Sequence, residues 1–219
     1  MTDVSSEPGV TSVRRPRNRS QRQIDDSAGL KASIVAAATE IFSERGYTQT
    51  TLDAVARQVG LTRPGVLHHF SSKEVLFAAV LSAQHDWADA RISEQHPPRG
   101  LSGIAELRRL VGTAEESRTQ LRLIHVLEGE GIAGNAAAIE YVQQRTHYVR
   151  EFIHERLVEA RTLGEIASDH DLDSLTTLVA AAVNGLQQAW LIDARRETGA
   201  PFDTLLAMLT VSDASPKID

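Results

Sequence analysis

The stretch from Thr50 to Phe77, TTLDAVARQVGLTRPGVLHHFSSKEVLF, restricts the fold of this chain more than any other. Leu52, Val55, Ala56 and Val59 recur at the three-to-four spacing of an amphipathic helix. Gly60 ends that helix, because a residue without a Cβ enters the left-handed region freely. Leu61 is apolar and suits the underside of the turn. Thr62 caps a second helix, and Arg63 and Pro64 fill its first turn, where proline removes no helical hydrogen bond. Val66, Leu67 and Phe70 supply its buried side. Ser72 caps a third helix, whose apolar stripe opens with Val75 and Leu76. Helix, glycine turn and short capped helix is the form of a helix-turn-helix.

The surroundings suit an all-α chain. Ala and Leu are abundant, which favours helix, and no strand pattern or internal repeat stands out. The 219 residues include no cysteine, which excludes disulfides, thiolate metal sites and cysteine catalysis. No continuous apolar run approaches the ~18 residues of a membrane span, and the N-terminus lacks an apolar signal core. The expectation is a cytoplasmic protein without a membrane partner. The net charge of −6 argues against a nucleic-acid binder until its distribution is considered. Residues 1–73 hold ten Lys and Arg against seven Asp and Glu, whereas residues 74–219 hold thirteen against twenty-two. One half is therefore suited to phosphate and the other is not.

Four regions follow. Residues 1–26 carry Arg14, Arg15, Arg17, Arg19 and Arg22 without apolar periodicity, and read as a disordered basic arm. Residues 27–73 form the helix-turn-helix unit, led by a helix over about 27–44 with Leu30, Ile34, Ala37, Ala38, Ile41 and Phe42 on one face. Residues 74–212 form a helical domain. Its helices are expected at about 72–92, 101–113, 117–129, 135–162, 172–196 and 201–211, with a break at His96 to Gly100. Residues 213–219 read as a flexible tail.

Phe42, Gly46, Tyr47, Thr50, Thr51, Val55, Ala56, Gly60, Leu61, Thr62, Gly65, Leu67, His69, Phe70, Ser72, Lys73, Glu74 and Leu76 resemble, in order and spacing, the N-terminal pattern of the TetR-family transcriptional regulators. The resemblance covers about residues 28–80; beyond it only the architecture is similar. It implies an N-terminal three-helix DNA-binding domain, a C-terminal ligand-binding and dimerisation domain, and a homodimer on a pseudo-palindromic operator in double-stranded DNA. The family usually has tyrosine, commonly a phosphate contact, where this chain has His68. Histidine also donates a hydrogen bond, with a charge that varies near neutral pH.

Within that frame the DNA-contacting candidates are Thr50, Thr51, Thr62, Arg63, Pro64, Gly65, His68, His69 and Lys73. Arg63 lies where side chains reach base edges, and a bidentate arginine on guanine is worth about 1–3 kcal/mol. Thr62, Thr50 and Thr51 combine capping with possible phosphate contact. Gly65 permits close approach, Pro64 removes one base-reading side chain, and His69 either packs or contacts DNA. Lys73 sits where helix-terminal amides also attract phosphate.

The resemblance further implies a small-molecule effector held among the helices at about 72–93, 101–113, 117–129 and 135–162. The lining candidates are Trp87, His125, Glu128, Tyr141, His147 and Trp190. It also implies that the last two long helices pair with their symmetry mates. The apolar stripe offered for this is Leu175, Val179, Ala182, Val183, Leu186, Phe202, Leu205 and Leu209, with small residues nearby. Two rival readings remain. His147, Glu151 and His154 share a helix face at i, i+4, i+7, and Glu151-x-x-His154 has di-iron spacing, but no second copy completes a metal-dependent enzyme. Alternatively, a protein partner controls the DNA binder. No catalytic residues, metal ligands or cofactor are assigned.

Overall fold

The computed structural model describes residues 19–93, 98–108 and 117–210, though not the side chains at 19–26, 88, 89 and 91–93. Nine helices lie among these residues: α1 Arg19–Gln49, α2 Leu52–Gln58, α3 Arg63–His69, α4 Lys73–Ser93, α5 Gly100–Ala105, α6 Arg118–Ile132, α7 Ala136–Thr162, α8 Leu172–Ile192 and α9 Gly199–Leu209. The all-helical expectation holds, and the starts of α2, α3 and α4 follow caps read from sequence. Thr51, Thr62, Ser72, Asn135 and Asp171 accept the amides of Ala54, Gly65, Val75, Ala138 and Asp173. α1 begins at Arg19, inside the stretch expected to be disordered; Arg14, Arg15 and Arg17 lie outside the described residues, as does the 213–219 tail. α1 kinks at Gly46 (φ 75°), where the sequence placed its end.

The two domains share a core. Ile34, Ala38, Phe42, Val55, Val66, Leu76 and Val80 from α1 to α4 pack with Leu123 and Leu127 of α6 and with Ala138 and Tyr141 of α7. α1 makes its largest packing surface with α6, ahead of α4. A three-helix unit of this size is marginal alone, and α6 and α7 supply the apolar surface that completes it. A second core joins Ile104, Ile153, Leu157, Val179, Val183 and Phe202 from α5, α7, α8 and α9. Arg108 clamps Asp203 with both oxygens 2.9–3.0 Å from Nε, tying α9 to the residues after α5.

α8 bears on two expectations and corrects one. At 21 residues and a mean hydropathy of 1.2 it is long and apolar enough to cross a membrane. Of that apolar window 33% is buried, on a side that carries Thr176 and Gln187, and Asn184 is hydrogen-bonded to Glu128. The pairing stripe read from sequence is also turned inward. Val179, Val183, Phe202 and Leu209 are buried in the protomer's own core, with Leu175, Leu186 and Leu205 packed against it and Ala182 half-buried. The outward face of α8 carries Leu178 (60% exposed), Ala181, Gly185 and Ile192 (85%), and α9 adds Met208 (76%). Both faces are apolar, so periodicity alone did not tell which one the protomer consumes.

Candidate nucleic-acid interface and effector site

α3 stands on a buried base, with Val66 and Phe70 in the core. Its first turn faces solvent: Thr62, Arg63 and Pro64 are exposed, as is His68. Arg63 reaches Asp53 of α2 at 3.7 Å, but both side chains are 59% exposed, so the pair is weak and the guanidinium free to turn outward. A Cβ added at Gly65 would meet nothing nearer than 3.5 Å. No internal crowding demands glycine there. His69 is half-buried, its ring edge-on to His68 at 5.3 Å.

Two of the proposed contacts are otherwise engaged. Thr50 is 2% exposed and its hydroxyl donates to the Gly46 carbonyl at 2.7 Å, so its side chain does not reach phosphate. The capping role belongs to the exposed Thr51. Lys73 lies with Nζ 4.2 Å over the Tyr47 ring and donates to the Thr48 carbonyl at 3.4 Å. Its partial burial lowers its pKa, against the opposing charges of Glu74 and Glu130. It lies at the start of α4 but is held inward by these contacts.

Tyr47 is the hub behind this face. Its ring packs 4.5 Å from Phe77, and its hydroxyl donates to Glu74 at 3.1 Å. Burial, followed by that carboxylate, raises its pKa. The Tyr47 and Thr48 amides both donate to the Glu130 carboxylate of α6 at 3.0 Å. Glu130 approaches so closely that a Cβ at Gly46 would lie 2.6 Å from its oxygen. Arg122, two turns earlier on α6, donates to Ser43 at 3.1–3.2 Å. α6 thus grips α1 at two points. Nothing in the sequence marks Glu130, since a carboxylate 83 residues from its partner leaves no local pattern.

The second cluster lies among α4, α6, α7 and α8. His125 Nδ1 is 2.7 Å from Glu128, and the other Glu128 oxygen accepts from Asn184 at 3.0 Å. Burial raises the Glu128 pKa, but these hydrogen bonds and the charges of His125 and Arg145 outweigh it and leave the value lowered. Tyr141 is 4% exposed and its pKa is pushed up to about 12 by burial. Trp87 and Trp190 pack with Leu121 and Ile124 one turn earlier on α6. Five of the six effector-site candidates thus fall into two groups adjoining along α6, Trp87 with Trp190 and His125 with Glu128 and Tyr141. His147 joins neither: its side chain is 74% exposed, and it faces Glu151 at 3.2 Å in a separate surface groove. His154 in that groove contacts Thr176 and Asp173 rather than His147, and among the described residues no group of three His, Asp or Glu is placed to hold a metal ion. Sequence reading missed Arg145, Asn184 and Gln188. The signal for Arg145 was its place four residues after Tyr141 on the buried stripe of α7.

Residues 34–80 match the family model described as bacterial regulatory proteins, tetR family. The HTH-type transcriptional regulator TtgR of Pseudomonas putida is 28% identical over 210 residues, covering 90% of this chain and 99% of that protein. The HTH-type transcriptional regulator UidR of Escherichia coli is 28% identical over 140 residues, covering 64% and 70%. A solved regulator, FadR of Bacillus subtilis in complex with stearoyl-CoA, shares the fold with a TM-score of 0.66 at 18% identity, covering 82% of this chain and 97% of that one.

Proposed function

The chain belongs to the TetR family of helix-turn-helix transcriptional regulators, and on that premise we propose that it is a homodimeric repressor whose operator is released when a small molecule enters the α4–α6–α7–α8 cluster. The observation that carries the reading is the solvent-facing first turn of α3, with Arg63, Pro64 and Gly65 presented from a fully packed base. Two such turns, one per protomer, would enter successive major grooves of a pseudo-palindromic site. Pairing through the outward face of α8 and α9 supplies the two-fold.

The effector must bind the releasing geometry more tightly than the DNA-bound one, or it shifts nothing. The polar cluster lies on the same helix, α6, that grips α1 through Arg122 and Glu130. A displacement of α6 is therefore passed directly to the residues leading into α2 and α3. The bound stearoyl-CoA of the FadR neighbour supports a small-molecule ligand for a protein of this fold. The test is a gel shift on the DNA upstream of the chain's own gene. Arg63→Ala abolishes sequence preference, at about 1–3 kcal/mol per protomer, while retaining weak binding to any DNA. Absence of sequence-specific binding by the intact protein refutes the proposal.

A further inference from the structure

His125 and Arg145 are buried around one carboxylate with hydrogen-bonding capacity unspent. The side chains of His125, Glu128 and Arg145 are 10%, 15% and 17% exposed. The 2.7 Å contact with Glu128 requires a proton on His125 Nδ1, because a nitrogen lone pair facing a carboxylate would repel it. That leaves Nε2, which is buried and has no hydrogen-bond partner. Arg145 has no fully buried unpartnered nitrogen, but it too makes no side-chain hydrogen bond among the described residues. Among the described residues its guanidinium reaches only Glu128, at 4.0 Å, beyond hydrogen-bond length. A buried polar atom left without a partner is costly, and protein interiors seldom keep one without a use.

Resting on the effector reading above, we infer that the effector is a small carboxylic acid whose carboxylate is taken by Arg145 and His125 Nε2, with an apolar body lying on Trp87 and Trp190. Arginine presents a planar fork that matches a carboxylate. Charge balances once Nε2 takes a proton: Arg145 and the imidazolium then face Glu128 and the ligand. The other groups around the site are Tyr141 from α7, His85 edge-on to Tyr141 from α4, and the neutral Asn184 and Gln188 from α8. Binding therefore takes up a proton and tightens as pH falls. Leu121, Ile124, His125 and Glu128 follow the i, i+3, i+4, i+7 rule, so the tryptophan cluster lies on the same face as the polar group, about one turn (~5 Å) away. That spacing suits an aryl or alkyl acid. A groove of about 420 Å³ between α4 and α7 is lined in part by Tyr141, one turn before Arg145 on α7.

Trp87 and Trp190 are the chain's two tryptophans, so intrinsic fluorescence reads occupancy directly. The experiment titrates full-length protein with a graded series of aryl and alkyl carboxylic acids, their methyl esters and the matching primary amines. Tryptophan emission, thermal shift and release of operator DNA are followed in parallel. The expected result is that acids perturb the emission and release DNA, esters and amines do not, and acid affinity rises from pH 8 to pH 6. Arg145→Lys keeps the charge beside Glu128 but loses the fork, and with His125→Asn it weakens the acid by about tenfold or more. Binding of esters or amines in preference to acids overturns the inference, as does equal acid affinity in both folded variants or no response to any acid. Operator binding by the ligand-free protein is scored separately, so failure of the regulator reading appears as loss of specific DNA binding.

Discussion

The contact between Gly46 and Glu130 gives a quantitative test of how the two domains are joined. Glu130→Ala removes a carboxylate that accepts the Tyr47 and Thr48 amides at 3.0 Å. A hydrogen bond to a charged group is worth about 1.5–3 kcal/mol when buried. Only the Tyr47 bond is partly buried and the Thr48 bond is at the surface, so the pair should contribute about 2–3 kcal/mol. For a chain of this length that lowers Tm by about 5–10 °C. Gly46→Ala places a Cβ 2.6 Å from the same carboxylate and forces a side chain into φ 75°. The conformational strain alone is about 1–2 kcal/mol, and displacement of Glu130 adds the 2–3 above. In the Glu130→Ala background the displacement is already lost, so Gly46→Ala costs only the strain. The double-mutant cycle should show a coupling of about 2 kcal/mol, measured by urea unfolding at fixed protein concentration. Additivity within about 0.5 kcal/mol refutes the reasoning, as does a Tm for Glu130→Ala within about 1 °C of the unaltered chain.

Other outcomes follow from the same geometry. Lys73→Ala should leave the salt slope of DNA binding unchanged, because Lys73 is held on Tyr47 and the Thr48 carbonyl; a slope reduced by about one in gel shifts across salt concentrations means that Lys73 swings out to phosphate. Leu178→Glu, on the outward face of α8, should convert dimer to monomer in sedimentation and abolish operator binding without unfolding the protomer. Phe202→Ala, in the inward core, should instead destabilise the fold by about 3–5 kcal/mol. Glu128 has a folded pKa below its ordinary value of 4.5, so its contribution to stability is complete above that value and lost as pH falls through the lower folded value. Glu128→Gln should therefore flatten the acid side of a plot of Tm against pH; an unchanged acid limb refutes the assignment.

Local chemistry made the helix-turn-helix readable in advance. Gly60, the Thr51 and Thr62 caps and Pro64 in the first turn act within a few residues of one another, so their pattern survives in one dimension. The grouping of Trp87, His125, Glu128, Tyr141 and Trp190 as lining candidates came from the resemblance rather than from any spacing, since they lie on four helices. Other features were settled only by packing. Thr50 and Thr51 look alike as caps, yet one hydroxyl turns inward to the Gly46 carbonyl and the other stays outside. Arg145 reads as an ordinary charge on a long helix until Tyr141 and Glu128 enclose it.

The stretch from Thr50 to Phe77 thus specified its own helices and the surface they present, because capping, proline geometry and apolar periodicity are properties of neighbouring residues. It did not specify what holds that unit in place. Glu130 reaches it from α6, and the choice between the two apolar faces of α8 depends on which one α7 and α9 cover. Both depend on contacts between residues far apart in the chain, which only the folded arrangement brings within bonding distance.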